Sequence, residues 1–435
     1  MKHLFQFVAA AVLSAAVAAP AQAEDTIKIG VPGAHTGDLA TYGVPSLNAA
    51  KIVVAKVNAN GGVLGKKIEL IAEDDQCKPE LATNAATKLL SDKVSVVMGH
   101  ICSGPTKAAM PLYNDAHIIA MSPSSTPPGL TAPGVNPMFF RTIAKDDDQA
   151  RLTSEFILKE LKAKSVAYIH DNGDYGKGFA DGNRALLEKN GVKTALFEAI
   201  TPDAVDFSAI VRKIKRSKAD VIVFGGYQPT ASKLLQQLRR DRVKTPVVGP
   251  DGLKDDAFIK MAGEAAEGTY CSYPKDTSNL PIYKEAHDAH VKMFGTEPGS
   301  FYYNAYAAML ALINGIEKAG STDTDKIIKV LHTVPVDTPL GKITFNENGD
   351  AAGMALSVYV IKGGKFVDSE LGLIPKGWST GTIYSYIDVI YGAPYKSALF
   401  NDKKQGLPLI RIRDLKTYTP QYYTKEVLPN TEYVE

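Results

Sequence analysis

The string GHICSGPT, residues 99–106, decides how this chain is read. A run of strand-forming residues from Val94 to Met98 stops at Gly99-His100, and a helical pattern begins near Pro105. Pro105 sits where a first helical turn tolerates proline, because that turn's N–H groups have no intrahelical partner. The string is therefore a strand-to-helix turn with a cysteine and a serine side by side. Ser103 falls near the helix N-cap, where its hydroxyl and the free backbone N–H groups favour an anion. From this turn alone, a plain capping serine is the better reading.

The same rhythm extends on both sides. Strand-like Ile27–Val31 precedes a helical stretch from Pro45 to Asn58, which Gly61-Gly62 ends. Strand Lys67–Ala72, helix Pro79–Leu90, the strand before Gly99, helix Pro105–Ala116 and strand Ile118–Met121 follow. The alternation restarts after Arg141 with strands Ser165–Ile169, Val192–Ala199, Asp220–Phe224 and Thr245–Val248, separated by helical patterns. Alternation of this kind predicts right-handed βαβ units and parallel sheets, hence two similar doubly wound α/β lobes. Three further helices, Pro281–Gly295, Phe301–Gly320 and Asp323–Leu331, lead to an expected hairpin: Lys342–Phe345, a turn at Asn346–Asp350, and Ala355–Ile361.

In open parallel sheets, ligands bind beyond the carboxyl ends of the strands. SPSSTPPGLT, residues 122–131, offers Ser124, Ser125 and Thr126 at one such end. In the second lobe HDNGDYGKG exposes Tyr175, GGYQPT exposes Tyr227 and GPDG exposes Asp251, with Tyr42 joining from the first lobe. Hydroxyls and N–H groups suit a carboxylate, one aspartate suits an ammonium, and aromatic rings enclose hydrocarbon. The set points to a zwitterion with an apolar tail, although each residue taken singly also reads as a cap or turn residue. Cys77, in the turn DDQCKP, and Cys102 would meet if their strands were neighbours; otherwise they read as two buried thiols.

Other classes find less support. The chain of 435 residues carries 49 Lys and Arg against 47 Asp and Glu, and no basic block marks a nucleic-acid surface. NGDYGKG has neither the G-x-G-x-x-G nor the Walker spacing, and no G-x-S-x-G or H-E-x-x-H occurs. His287 and His290 are three apart without a metal-type cluster beside them, so they read as a solvated or packed helix face. No enzyme, cofactor or metal is expected. Lys2 and His3, an apolar run from Leu4 to Ala19 and the small-x-small site Ala21-Gln22-Ala23 read as an export signal cleaved after Ala23.

The strings around these turns resemble the leucine/isoleucine/valine-binding periplasmic proteins that feed ABC transporters. The resemblance covers residues 24–368 and includes TYG at Tyr42, NANGGVLG, DDQCKPELA, GHICSGPT, SPSSTPPGLT, HDNGDYGKG, GGYQPT, GPDG and AGEAAEGTY. It implies a type I periplasmic binding fold, with lobe 1 at 24–145 plus 275–332, lobe 2 at 146–274 plus 333–368, and three crossovers between them. It also implies a Cys77–Cys102 disulfide, with Cys271 left free. Ser103 and Thr126 would hold a ligand carboxylate. The Ser124 backbone, Tyr227 and Asp251 would hold its ammonium. Tyr42, Tyr175, Ser125 and Phe301 or Tyr302 would form the side-chain pocket. The implied protein is a monomeric, non-enzymatic periplasmic receptor that delivers an aliphatic amino acid to an inner-membrane permease. A same-fold sensor for amides, urea or another polar metabolite is the alternative. Where this chain has Ser124, Ser125 and Asp251, the family's prototypes carry two alanines and a glutamate, which leans toward a more polar ligand.

Composition changes near Asp368. Trp378 and eight tyrosines follow, and SELGLIPKGW and GLPLIRIRDLK resemble the opening of a target-recognition domain from a type I restriction specificity subunit. The stretch 369–435 is too short for a whole domain of that kind. With eight Lys and Arg against seven Asp and Glu it has no electrostatic footprint for DNA, and it is expected to be a foreign, non-functional tail.

Overall fold

The computed structural model describes residues 26–369 and, beyond them, only 407–409 and 422–424. The expected export signal therefore lies outside the described residues, as does nearly all of the tail. The first sheet has five parallel strands in the order β2-β1-β3-β4-β5. These are β1 (Ile27–Gly33), β2 (Ile68–Asp74), β3 (Val96–Met98), β4 (Ala120–Ser122) and β5 (Phe139–Arg141). Helices α1 (Ala40–Ala59), α2 (Pro79–Ser91) and α3 (Ser103–Asp115) connect the first four strands. Their side chains alternate between two cores, as a period of two requires. Ile27, Ile29, Val31, Val96, Met98 and Met121 face one core, while Val97, Ala120 and Phe139 face the other.

The chain then enters the second lobe through α4 (Asp146–Lys159). Strands β6 (Ser165–His170), β7 (Lys193–Ala199), β8 (Val221–Gly225), β9 (Val247–Gly249) and β10 (Tyr270–Pro274) alternate with α5 (Asp174–Lys189), α6 (Ser208–Ser217), α7 (Gln228–Arg240) and α8 (Asp256–Ala262). Helices α9 (Pro281–Phe294), α10 (Tyr302–Ala319) and α11 (Thr324–Thr333) return to the first lobe. There α10 buries Tyr302, Ala305, Ala308, Leu312 and Ile316 against β3 and β4. The short hairpin β11 (Val336–Thr338) and β12 (Gly341–Ile343) precedes β13 (Leu356–Lys362) and β14 (Lys365–Asp368). The last two strands extend the second sheet to β14-β13-β10-β9-β8-β6-β7, with β13 antiparallel to both neighbours.

Three readings of the sequence change here. The expected hairpin across Asn346–Asp350 closes by only one bridge, between Phe345 and Ala351. The strands on either side of that turn pair elsewhere, because Gly341 and the Gly363-Gly364 turn make tighter hairpins. Ile343 and Phe345 pack in the first-lobe core with Tyr302 and Ile327, so the last crossing comes after Asp350, not at residue 333. Finally, β2 and β3 are not neighbours, since β1 lies between them. Cys77 still meets Cys102, with a Cα–Cα distance of 5.5 Å, because the turn after β2 reaches across the end of β1. Asp74 Oδ1, accepting from the backbone N–H groups of His35 and Gln76, holds that turn over β1. His290 is packed between Phe294 and Tyr302, a core role and not a ligand role.

The chain divides into two compact units, Met1–Gly377 and Trp378–Glu435. In the second, β15 (Leu407–Leu409) pairs antiparallel with β16 (Tyr422–Thr424).

The disulfide closes a loop with a sequence separation of 25, and in the chain-entropy picture such closure stabilises by about 3 kcal/mol. Denaturant titration should show a loss of that size in a Cys77→Ser/Cys102→Ser double variant, and reductant should then have no further effect. Cys271 is free and buried on β10, and burial pushes its thiol up to about 12. It should resist alkylation until the protein unfolds. Rapid labelling of native Cys271 would contradict this packing.

Candidate functional site

The carboxyl ends of β1, β3 and β4 meet those of β6, β8 and β9 across the gap between the lobes. The turn after β3 is fixed from beneath by His100, which is fully buried. Its ring contacts Asp75 Oδ2 at 2.7 Å and the Tyr113 hydroxyl at 3.0 Å. Its carbonyl accepts from the hydroxyls of Ser122 at 2.6 Å and Thr106 at 3.2 Å. One residue thus ties the turn after β3 to the turn after β4. Cys102, with extended backbone, caps α3, so Ser103 opens the helix and presents an N-terminal N–H to the gap.

The two lobes touch. The Tyr42 hydroxyl donates to the Gly252 carbonyl at 2.7 Å, and the Gln228 side-chain amide bonds Thr41. Between them lies a pocket lined by Tyr42, Ile101, Cys102, Ser103, Ser124, Tyr175, Tyr227, Gly252 and Phe301. The Tyr175 and Tyr227 rings stack with centroids 4.9 Å apart, and Tyr42 lies 5.9 Å from Tyr227 and 5.7 Å from Phe301. Burial holds the Tyr42, Tyr175 and Tyr227 hydroxyls far above their ordinary pKa, so they are neutral donors and acceptors. Phe301, the N-cap of α10, adopts a left-handed φ of 60°, and its N–H donates to the Tyr273 hydroxyl at 3.0 Å. A larger cleft of about 580 Å³ opens between Lys145 and Arg151 on one side and Asp350 and Met354 on the other. It is open to solvent, and its acids Asp148 and Asp350 are paired with Arg151 and Arg141.

Asp251 is buried beside Gly252. Its Oδ1 accepts from the Tyr175 hydroxyl at 2.5 Å, and that hydroxyl in turn accepts from the Gly252 N–H at 2.8 Å. Its N–H donates to Gln149 Oε1 at 3.1 Å, which also accepts from Ser272 at 2.7 Å. Among the described residues Oδ2 of Asp251 has no hydrogen-bond partner. Burial pushes this carboxyl up to about 6, against the hydrogen bonds from Tyr175 and Gln149. A buried carboxylate with one empty oxygen is a site for a cation.

Ser103, Ser124, Tyr42, Tyr175, Tyr227 and Phe301 come together on the pocket wall as the sequence suggests. Four candidates lie outside that lining: Asp251, which stands behind Gly252 and Tyr175, and Tyr302, Ser125 and Thr126. Tyr302 is in the core, where its hydroxyl donates to the Ala286 carbonyl at 2.8 Å; one helical step past Phe301 turns it to the opposite side. Ser125 is turned inward, its hydroxyl 2.5 Å from Thr106 Oγ1 and its N–H on Ser122 Oγ at 2.9 Å. The Ser124 hydroxyl donates to the Ile101 carbonyl at 2.6 Å and is spent. Neither extra hydroxyl supplies the polar wall that replacing alanines suggested. Thr126 is fully buried outside the lining, with no hydrogen-bond partner for its hydroxyl among the described residues. Sequence reasoning missed Ile101, Gln149 and Asp146. Ile101 shares a turn with Cys102 and could have been read as a wall residue; Gln149 and the Asp146–Asp148 run look like an ordinary acidic first turn of a helix.

Two doubly wound lobes closing on a mostly aromatic pocket with a buried acid define a solute receptor of the two-lobed class. Residues 26–365 match the periplasmic binding protein family model. The Leu/Ile/Val-binding protein of Escherichia coli K12 is 36% identical over 340 residues, 78% of this chain and 91% of that protein. A leucine-, isoleucine-, valine-, threonine- and alanine-binding protein of Pseudomonas aeruginosa is 34% identical over 350 residues, 80% of this chain and 94% of that one. The isoleucine complex of a branched-chain amino acid substrate-binding protein from Streptococcus pneumoniae superposes with TM-score 0.72 at 29% identity, covering 78% of this chain and 97% of its own. The chain belongs to the periplasmic binding protein family.

The buried Asp251 carboxyl has a stability consequence. Its folded pKa lies above the unfolded value near 3.8, so its favourable contribution is complete at low pH and is lost as pH rises through about 6. In ligand-free protein at pH 8, Asp251→Asn should therefore be more stable than wild type, by up to about 3 kcal/mol. Chemical denaturation at pH 4 and pH 8 should show the gain only at the higher pH.

Proposed function

We propose that this chain is a periplasmic receptor that captures an aliphatic α-amino acid between its lobes and delivers it to an ABC permease. The unpartnered Asp251 Oδ2, buried beside an aromatic-walled pocket, is the observation that carries this reading. The relatives named for leucine, isoleucine and valine support the same ligand class. In this reading Ser103 and Thr126 hold the ligand carboxylate, helped by the free N–H groups opening α3. The Ser124 carbonyl, Tyr227 and Asp251 hold the ammonium. Tyr42, Tyr175 and Phe301 surround the hydrocarbon, with Ile101 added to that wall. The chemistry is binding alone, with no cofactor, metal or nucleic acid, and the receptor acts as a monomer exported by cleavage after Ala23. No helix among the described residues is long and apolar enough to cross a membrane. The alternative, a receptor for amides or urea, loses its motive once the Ser124 and Ser125 hydroxyls are bonded within the protein.

Leucine, with about nine non-hydrogen atoms, has a ceiling near 13 kcal/mol, while micromolar affinity requires only ~8. Calorimetry should therefore give micromolar Kd or tighter for leucine, isoleucine or valine, and far weaker binding for simple amides. Asp251→Ala should weaken leucine at least ~100-fold, because the ammonium would be buried without its counter-charge. Unchanged affinity in that variant would remove the ammonium role.

The tail from residue 370 is proposed to be no working part of the receptor. Its aromatic residues would need a core that a fragment of this length cannot build. The Ser369 N–H still bonds the Val358 carbonyl at 2.8 Å, so the second sheet is complete without it. Removing 370–435 should leave leucine affinity within about twofold and the melting temperature within a few degrees. Loss of folding on truncation would make the tail part of the receptor.

A further inference from the structure

Asp146 is the first residue of α4, immediately after the chain crosses between the lobes, and it is 2% exposed. Its N–H donates to the Thr126 carbonyl at 2.9 Å. Its Oδ1 accepts weakly from Gln149 Nε2 at 3.4 Å, and Gln149 in turn holds the Asp251 N–H. Two buried atoms remain without a well-formed hydrogen bond among the described residues: Asp146 Oδ2 and Thr126 Oγ1. They belong to residues that the Asp146 N–H to Thr126 carbonyl bond holds side by side, and the Thr126 hydroxyl favours the charged form of the Asp146 carboxyl.

Arg141, on β5, favours the charged form of Asp146, but its guanidinium is committed elsewhere. Nε bonds Asp350 at 2.6 Å, Nη1 bonds the Ser125 and Pro127 carbonyls, and Nη2 bonds Thr131. Asp147 on the same helix and Asp251 after β9 both add repulsion. From the N-cap of α7, Tyr227 faces it as a neutral phenol, and from α5 Gly178 packs beside its Oδ2. From β10, Ser272 reaches it through Gln149, and Asp350 is bonded to Arg141. The environment is one in which a carboxyl keeps its proton.

We propose that Asp146 is a positioning acid of the ligand site: its protonated carboxyl donates to Thr126 Oγ1 and so turns the Thr126 hydroxyl hydrogen toward the ligand carboxylate, whereas ionised Asp146 claims that hydrogen for itself. A hydroxyl has one hydrogen and can donate it once. With the acid neutral, Thr126 accepts from Asp146 and donates to the ligand. With the acid ionised, Thr126 donates to Asp146 and turns its lone pairs on an anion. The inference rests on the proposed role of Thr126 at the ligand carboxylate, and it extends that role to a residue outside the pocket wall. Burial pushes Asp146 up to about 8, so the change falls just above neutral pH.

Calorimetry with leucine from pH 6 to pH 9 tests this on the full chain. Only the protonated form is competent, so the wild-type Kd should rise about tenfold between pH 7 and pH 9. Asp146→Asn carries an N–H that donates to Thr126 at every pH. Its Kd should stay within about threefold of the wild-type value at pH 7 and be flat to pH 9. Asp146→Ala should bind about tenfold more weakly at pH 7, also without slope. A flat wild-type profile, or an Asn variant that falls with the wild type, overturns the proposal. If wild type binds no amino acid at any pH, the proposed function fails, and Asp146 is then judged by melting of ligand-free protein. A folded pKa above the unfolded one means stability is lost as pH rises. Wild type should thus lose stability relative to Asp146→Asn between pH 6 and pH 9, and a difference independent of pH overturns the proposal.

Discussion

A carboxyl group taken out of water without a counter-charge is costly, and Asp251 places one at the meeting of two lobes. Its Oδ1 is held by Tyr175, and its backbone is held by Gln149 from the crossover helix. Among the described residues its second oxygen has no partner. The aromatic rings around the pocket exclude the water that would otherwise solvate it, so the cost can be met only by a bound cation or by a proton. Ligand capture and lobe closure are two sides of that one constraint. The Tyr42–Gly252 and Gln228–Thr41 bonds hold the lobes together, and in the proposed reading a ligand ammonium inside would make the closed, dry state favourable.

The other side of the pocket is built by restraint instead of by charge. The turn after β3 has no regular structure of its own, yet nothing in it is loose. His100 grips it through Asp75 and Tyr113, the disulfide pins its cysteine, and the hydroxyls of Ser122, Ser124 and Thr106 satisfy its carbonyls. Each bond contributes modestly, on the order of 1 kcal/mol, but together they fix the N–H groups opening α3 toward the pocket before any ligand arrives. Preorganised donors bind an anion without first having to be ordered. The serines at 124 and 125, which read from sequence as additions to the ligand surface, belong to this restraint.

The parallel alternation of strands and helices, the two lobes, and the strand-end turns that carry Ser103, Ser124, Tyr175, Tyr227 and Asp251 could all be read from the sequence. The reason is that hydrophobic period and turn chemistry are local properties. A right-handed crossover then leaves few arrangements for the sheets, and those arrangements put one set of turns at one edge. Strand order was not local, and so the path of the Cys77 turn across β1 was invisible. The pairing of β13 with β10 in place of the strand before Asn346 was invisible for the same reason, since it depends on residues about 85 positions apart.

Side-chain direction and protonation belonged to the tertiary structure alone. Phe301 and Tyr302 are adjacent and chemically alike, and only the left-handed backbone at Phe301 and the packing of α10 send one into the pocket and the other into the core. Asp146 sits in a run of three aspartates that looks like a solvated helix start. It becomes a proton-holding acid because the crossover buries it beside Thr126 and Asp251 while Arg141 is occupied by Asp350. The sequence by itself determined the fold class, the compartment signal and the kind of ligand the strand ends could hold, because each follows from residue type and spacing. Which hydroxyls remain free and which carboxyl carries a proton were decided only where distant segments meet, because desolvation and hydrogen-bond competition depend on neighbours in space.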